Sequence, residues 1–425
     1  MNTIQPRGLV DSPRPTSNGV KRILIFSLAY TPYVGGAELS IKEITDRLDP
    51  AEYEFDMVTL RFDEKLPRAE RVGNITVHRI GFTARDPKVS DRSMPLVLRL
   101  AKFLFPFTAF FKARALHRER PYDATWAMMA NQAGFAALFF KWTYPNVPYL
   151  LELQDGSSLQ RIRQRRPITT LLWPLYRAIY RHADVIKAIS RYIADLAREV
   201  DYSGKLHVIP NGADIHKFSE RSSEDEITEL KAKVGKRMGD VFLFTASRLV
   251  LSRGVEDVIR ALPHLPPHVR FLIAGEGDDR RKLELIAQKA GVSERVIFVG
   301  HIEPNELPKY FRIADIFVRP SIIEGMGSAF IEAFAAGVPI IATPVGGIPD
   351  FLSDPIRDPD MEPTGLFCNV RDPESIAAAV KRYMEDLVLL ARIVKNAKQL
   401  AIEKYDWNII SEAQGKMFAE LISRG

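Results

Sequence analysis

The sequence predicts an α/β protein of two doubly wound, parallel-sheet domains. Three observations lead there. The chain has 425 residues, long for one core and suited to two domains of ordinary size. Its strand candidates are short unbroken apolar runs, as expected of parallel strands covered on both faces. One stretch, 314–342, reads as a complete strand, glycine loop, helix and strand.

Composition narrows the class. With 46% hydrophobic and 26% charged residues the mix is that of a soluble globular protein. Lys plus Arg number 59 against 53 Asp plus Glu, a modest excess that fits anionic ligands or an anionic membrane surface. No stretch gathers those cations into a nucleic-acid motif. The single cysteine, Cys368, excludes an intrachain disulfide and a cysteine-based zinc site, reads as a buried strand residue, and fits a reducing cytosol. Residues 1–20 read as a disordered tail, since the first nineteen are polar and proline-rich with no apolar signal segment. No run approaches the ~18 apolar residues of a membrane span.

The first strand, 21–28, is apolar and central. It leads to Gly35-Gly36 and a helix to Leu48, which places backbone amides at the C-terminal edge of a sheet, where open α/β sheets bind ligands. Strands follow at 54–61 and 74–80. The segment 94–120 is a helix dense in phenylalanine, with Lys112, Arg114, His117, Arg118 and Arg120 towards one end. It reads either as a core helix with a basic solvent face or as a face lying on an anionic bilayer. Strands at 122–130 and 147–153 come next, the second ending in Gln154-Asp155-Gly156. Residues 184–190 form another strand, with Ser190 capping a helix. The run 205–209 stops at Pro210, and Asn211-Gly212 opens a hinge over 211–223.

A second strand series begins at 240–246. Its strand-to-helix loop carries Arg248 and Arg253, five residues apart. The strand 269–274 leads into Gly275-Glu276-Gly277-Asp278, and 295–299 into Gly300-His301-Ile302-Glu303. Then comes the unit at 314–342. Gly325 and Gly327 allow close backbone approach to a ligand. Ser328 reads as an N-cap, so that free amides of the first helical turn face the loop and attract phosphate. Glu324 and Glu332 flank that loop. Carboxylates do not hold an anion, but they accept hydrogen bonds from hydroxyls on either side of it, such as a ribose and a sugar. Gly337 closes the helix. Asp358-Pro359-Asp360 lies in a proline-rich loop and reads as surface, so metal independence is expected. Helical segments fill 372–404, and a last helix follows Tyr405-Asp406-Trp407.

The E-x7-E pattern from Glu324 to Glu332, followed by Ala342-Thr343-Pro344-Val345-Gly346-Gly347, resembles the nucleotide-sugar glycosyltransferases of family 4. The resemblance runs from about Arg22 to Trp407 and includes Val208-Ile209-Pro210-Asn211-Gly212 at the domain crossing. It implies the GT-B fold, two Rossmann-like domains facing across a cleft. An acceptor domain would cover 21–212, joined by the final helix 408–425, and a donor domain 213–407. It further implies Arg248 and Arg253 on the donor diphosphate, Arg253 standing where lysine is usual. Arginine keeps the charge and binds phosphate in a fork. Gly35 and Gly36 would face the transferred group. Gly275, Gly300 and Ile302 would surround base and ribose, the amides of Gly325, Met326, Gly327 and Ser328 the diphosphate. Glu332 would take the ribose and Glu324 the sugar. Gln154 stands where many members have histidine, which removes an imidazole and leaves a donor to a hydroxyl. Asp155 then reads equally as an acceptor-activating or hydroxyl-binding carboxylate and as an Asx turn. Asn211 is a further candidate sugar or acceptor contact.

The resemblance implies a retaining transfer from a UDP- or GDP-sugar to a glycan or lipid-linked hydroxyl in cell-surface polysaccharide or glycolipid synthesis. It would need no cofactor beyond the nucleotide sugar. The protein would be cytoplasmic, with 96–120 against the inner membrane. The departures at Gln154 and Arg253 keep open a non-catalytic nucleotide-sugar or glycan-binding subunit. A GT-B epimerase would need acid and base groups not located here. A plain dehydrogenase is disfavoured, since no G-x-G-x-x-G follows the first strand.

Overall fold

The computed structural model describes residues 19–87, 94–164, 172–220 and 222–423. The expected tail at 1–20 thus falls, except for its last two residues, outside the described residues.

Two sheets form the molecule. The first holds β1 (Lys21–Phe26), β2 (Tyr53–Leu60), β3 (Ala69–Val72), β4 (Ile75–Ile80), β5 (Ala124–Met128), β6 (Tyr149–Leu153), β7 (Val185–Ala188) and β8 (Lys205–Val208). Their order is β3-β4-β2-β1-β5-β6-β7-β8, parallel throughout except for the β3–β4 edge hairpin. The second holds β9 (Val241–Ala246), β10 (Val269–Ala274), β11 (Val296–Gly300), β12 (Ile316–Arg319), β13 (Ile340–Ala342) and β14 (Leu366–Phe367), all parallel in the order β11-β10-β9-β12-β13-β14. Central strands are buried along their length, as unbroken apolar runs require. Cys368 is buried one residue beyond β14.

The chain crosses between lobes twice, side by side. Ala213 N–H donates to the Tyr405 carbonyl at 2.8 Å, and Trp407 N–H to the Ala213 carbonyl at 3.3 Å. A Cβ on Gly212 would lie 2.8 Å from that Tyr405 oxygen and 2.9 Å from the Trp407 ring, so the crossing needs glycine. The final helix, Trp407–Ser423, returns to the first lobe. Tyr53 donates its hydroxyl to the Gly415 carbonyl at 3.0 Å, and Phe418 packs edge-on to Trp126 at 5.4 Å between centroids. The helical stretch 372–404 is broken at Asp386, whose carboxylate caps the second piece through Leu389 N–H at 2.9 Å.

The helix Leu96–Glu119 is turned inside out in residue size. Leu98, Ala101, Phe105, Ala109 and Ala113 face inward, mostly small. Leu96, Leu100, Phe103, Phe107 and Phe111 face solvent, Phe103 and Phe111 each 62% exposed. Small residues take much of its inner face, Phe107 stacks on Phe139 of the neighbouring helix Gln132–Thr143 at 5.5 Å, and Phe103 and Phe111 are left outside.

Candidate active site

The C-terminal end of β12 builds the site. The strand's last residue, Arg319, is followed at once by the loop that carries Glu324. Glu324 is 6% exposed, and its Oε2 accepts three hydrogen bonds: from Arg253 Nη1 at 2.6 Å, Arg319 Nη2 at 3.0 Å and Ser321 Oγ at 3.2 Å. Burial alone would raise this carboxyl, but Arg319, Arg253 and the bonds from Arg253 and Ser321 outweigh it and hold it below the usual range. Arg319 goes unnoticed in the sequence, where the apolar run ends one residue earlier. The available signal was a cation closing a strand otherwise made of Ile, Phe and Val.

The helix after the loop is Ser328–Ala336, with Gly327 at the N-cap and no side-chain cap. Ser328 is therefore the first helical residue, not the cap. Gly327 has φ +88°, which serine could not take cheaply, and that shifts the cap by one. The loop glycines are also required by the protein's own packing. A Cβ on Gly327 would lie 2.1 Å from Arg319 Nη2, and one on Gly325 2.7 Å from the Gln154 carbonyl oxygen. The space they leave is filled by the protein's own arginine and by the opposite lobe.

Glu332 lies one turn into this helix, partly buried. Burial pushes its carboxyl up to about 7, against the opposing pull of Arg319 and Lys217. Arg253 ends the turn Leu251–Arg253. Arg248 is exposed, near the start of the same loop, whose residue Leu249 donates from its N–H to the Glu276 carbonyl at 2.9 Å. Gly275, at φ +123°, packs against Ser247, where a Cβ would come within 1.9 Å of a carbonyl oxygen. Gly300 follows at the neighbouring strand end with φ +76°, and Ile302 is partly buried against the core. The structure thus joins Arg253 and Arg319 directly to Glu324, with Glu332 within electrostatic reach of Arg319. Gly275, Gly300 and Ile302 lie along the same edge of the sheet, and Arg248 stands on its rim.

Across from this edge, the first lobe presents Gln154. Its Nε2 donates to Glu152 Oε1 at 2.6 Å, and its Oε1 accepts from Asn211 Nδ2 at 3.0 Å. Asn211 N–H in turn meets Met326 Sδ at 3.3 Å, so Gln154, Asn211 and Met326 link the lobes. Behind Gln154, Glu152 pairs with Lys187 at 3.1 Å, both fully buried, and accepts from Trp126 Nε1 at 3.0 Å. Asp155 is exposed and accepts from Ser157 N–H at 2.9 Å, the bond of an Asx turn. Gly35 caps the helix Gly36–Arg47 beyond β1, donating its N–H to Glu38 at 2.8 Å.

Among the described residues no three His, Cys, Asp or Glu are grouped to hold a metal ion. Asp358, in the loop expected to lie at the surface, accepts from Asp354 N–H at 3.0 Å.

Comparison with known proteins agrees with this architecture. The family described as glycosyl transferases group 1 matches residues 226–400, and the glycosyl transferase 4-like domain matches 35–212. An uncharacterised glycosyltransferase of Methanocaldococcus jannaschii is 32% identical over 210 residues, 49% of this chain and 52% of that one. The GDP-mannose-dependent alpha-(1-6)-phosphatidylinositol monomannoside mannosyltransferase of Mycolicibacterium smegmatis is 30% identical over 259 residues, 58% of this chain and 64% of that one. The matches therefore span between half and two thirds of those relatives. Sucrose-phosphate synthase from Thermosynechococcus elongatus has the same fold, with a TM-score of 0.79 at 22% identity over 95% of this chain and 100% of that one. Two parallel α/β lobes, each matching its own half of the same enzyme class, show that the chain belongs to the family 4 glycosyltransferases of the GT-B fold.

Proposed function

We propose that the protein moves a hexose from a UDP- or GDP-sugar to a hydroxyl of a glycan or lipid-linked acceptor, with retention and without a metal. The observation that carries this is the pairing of Arg253 with Glu324 beside the start of the helix Ser328–Ala336. Negative charge grows on the leaving diphosphate during transfer. Arg253, Arg248 and the amides of 326–328 meet it. Losing one such contact costs about 3 kcal/mol of barrier, roughly 100- to 1,000-fold in rate. Glu324 Oε2 takes all three hydrogen bonds given to that carboxylate, which leaves Oε1 for hydroxyls of the sugar. Glu332 accepts from the ribose. No covalent nucleophile is assigned: departure and attack share one face, and the donor phosphate takes the acceptor's proton.

The relative named for GDP-mannose and a phosphatidylinositol monomannoside supports a nucleotide-sugar donor and a lipid-linked acceptor. Thermal shift over UDP- and GDP-sugars finds the donor, since ligand binding stabilises by mass action. Transfer assays then compare wild type with Glu332→Ala and Arg248→Ala. Both variants should lose the donor-induced shift and transfer. If both bind and transfer like wild type, the site is misplaced. Donor binding without turnover on any acceptor would instead make this a non-catalytic nucleotide-sugar-binding subunit.

The exposed stripe Leu96, Leu100, Phe103, Phe107 and Phe111 supports a place at the inner membrane surface. Its helix carries Arg99, Lys102, Lys112, Arg114 and Arg118, and no acid before Glu119. Apolar rings flanked by cations suit an anionic bilayer face. No helix among the described residues is long and apolar enough to cross one. Co-sedimentation with vesicles containing phosphatidylglycerol should show binding that falls with salt and is lost in Phe103→Ser/Phe107→Ser. Equal binding by that variant would remove the helix from the contact.

A further inference from the structure

Arg319 is the third arginine of the site, and the roles given to Arg248 and Arg253 do not extend to it. The rest of β12 is apolar and buried, and Arg319 itself is only 5% exposed. A guanidinium there is costly unless the surroundings hold it. They hold it in part, since its Nε has no hydrogen-bond partner among the described residues. Its Nη2 donates to Glu324 Oε2 at 3.0 Å, and its plane sits over the Phe330 ring at 4.2 Å. Nη1 reaches the Ala246 carbonyl at 3.5 Å. The helix start is shaped to it, since Gly327 lacks the Cβ that would strike Nη2. Burial disfavours the charge on Arg319 and neighbouring Arg253 adds to that, while Glu324 and Glu332 oppose it.

Glu324 Oε2 is shared between two arginines of unlike exposure. The Arg253 side chain is 27% exposed, whereas that of Arg319 is 6% exposed. An arriving diphosphate competes with Glu324 for Arg253. When Arg253 turns to the phosphate, Glu324 loses its 2.6 Å partner and keeps Ser321 and Arg319. Without Arg319, a buried carboxylate would retain only a hydroxyl, and would pull Arg253 back from the donor.

We propose that Arg319 is a positioning residue for transfer: from behind Glu324 it holds that carboxylate in place while Arg253 moves from Glu324 to the donor diphosphate. This rests on the reading of the donor as a nucleotide diphosphate sugar. Arg319 touches neither substrate in this arrangement, so it acts through Glu324.

The test is steady-state transfer across pH for wild type, Arg319→Met and Arg319→Lys, with thermal denaturation alongside. In Arg319→Met, kcat/KM for the donor should fall about 10- to 100-fold, the scale seen when a residue that orients metal ligands is removed. Its acid limb should move to higher pH, because Glu324 has lost a cation that favours its ionised form; Arg319 also pulls Glu332 down, so the limb is compared in a Glu332→Gln background, where only Glu324 can move it. Arg319→Lys should return the limb most of the way. An unmoved limb in Arg319→Met overturns the proposal, as does a loss that Arg319→Lys does not restore. If Arg319→Met does not fold, Phe330→Leu decides, since it removes the ring beneath the guanidinium. A smaller shift of the limb in the same direction supports the proposal, and no shift overturns it. Failure of wild type to bind any nucleotide sugar would overturn the functional reading and this inference together. An active wild type with unmoved limbs in the variants overturns this inference alone.

Discussion

Each lobe meets the cleft with a buried carboxylate beside a cation, and the two pairs differ in what is left over. In the first lobe, Glu152 on β6 stands opposite Lys187 on β7 in register, with neither side chain exposed. Trp126 takes one carboxylate oxygen, and Gln154 with Lys187 takes the other. Both oxygens are taken by the protein's own groups, although Lys187 Nζ lies against Oε1 without hydrogen-bond geometry. In the second lobe, Glu324 receives all its donors on one oxygen, and one of them, Arg253, reaches solvent. On the proposed function, the same chemical pair is scaffold where it is closed and site where one partner can leave. Burial and charge alone do not separate the two cases. The separating fact is whether a partner can be exchanged for a ligand.

The largest effect is expected where the pair is closed. Lys187→Met leaves the Glu152 carboxylate in the core without its cation, and breaking a buried pair on one side costs about 3–5 kcal/mol. The double variant Glu152→Leu/Lys187→Met removes both charges and should recover most of that loss, although Trp126 and Gln154 then lose an acceptor. Urea unfolding of the two singles and the double gives the coupling. Singles that cost under about 1 kcal/mol would mean that the pair is not a closed ionic unit, and the contrast between lobes would fall.

The sequence shows what is local and conceals what needs register. Parallel strands were legible because their apolar runs are unbroken, and the place where the chain crosses between lobes because Asn211-Gly212 follows Pro210. The edge strand β3 was not, since Ala69–Val72 offers two charged residues and no apolar run. Glu324, Glu332 and Arg253 were legible as a pattern of spacing. Arg319 was not, because its meaning depends on Gly327 and Phe330 folding back over it. Nor was Lys187, whose partner lies 35 residues earlier and is found only through the alignment of β6 with β7. The helix Leu96–Glu119 shows the same limit: its phenylalanines read as core or as surface until its alanines are seen to occupy the inner face.

Glu332 sharpens the comparison from the other side, as a carboxylate with no hydrogen-bonded cation among the described residues. Its neighbour Arg319 gives Nη2 to Glu324, and desolvation pushes Glu332 up to about 7. A carboxyl that is raised on folding binds its proton more tightly in the folded chain than in the unfolded one. Stability therefore falls as pH rises from about 4.5, the ordinary value, through about 7, and the penalty is complete above that. Glu332→Gln, neutral at every pH, should match wild type below pH ~4.5 and exceed it above pH ~7, by about 3 kcal/mol at most and by less for a partly exposed side chain. The same substitution should weaken donor binding, since an amide is a poorer acceptor for two ribose hydroxyls than a carboxylate. Saturating donor should then shrink or reverse the stability gap at pH 8, because the ligand favours the ionised wild type. Melting curves of both proteins at pH 4.5 and pH 8, with and without donor, measure all of this at once. A gap independent of pH would mean that folding leaves the Glu332 carboxyl at its ordinary value, and a gap of opposite sign at pH 8 would mean that a cation holds it as Glu324 is held, so that the difference between the two carboxylates of the E-x7-E pattern would vanish.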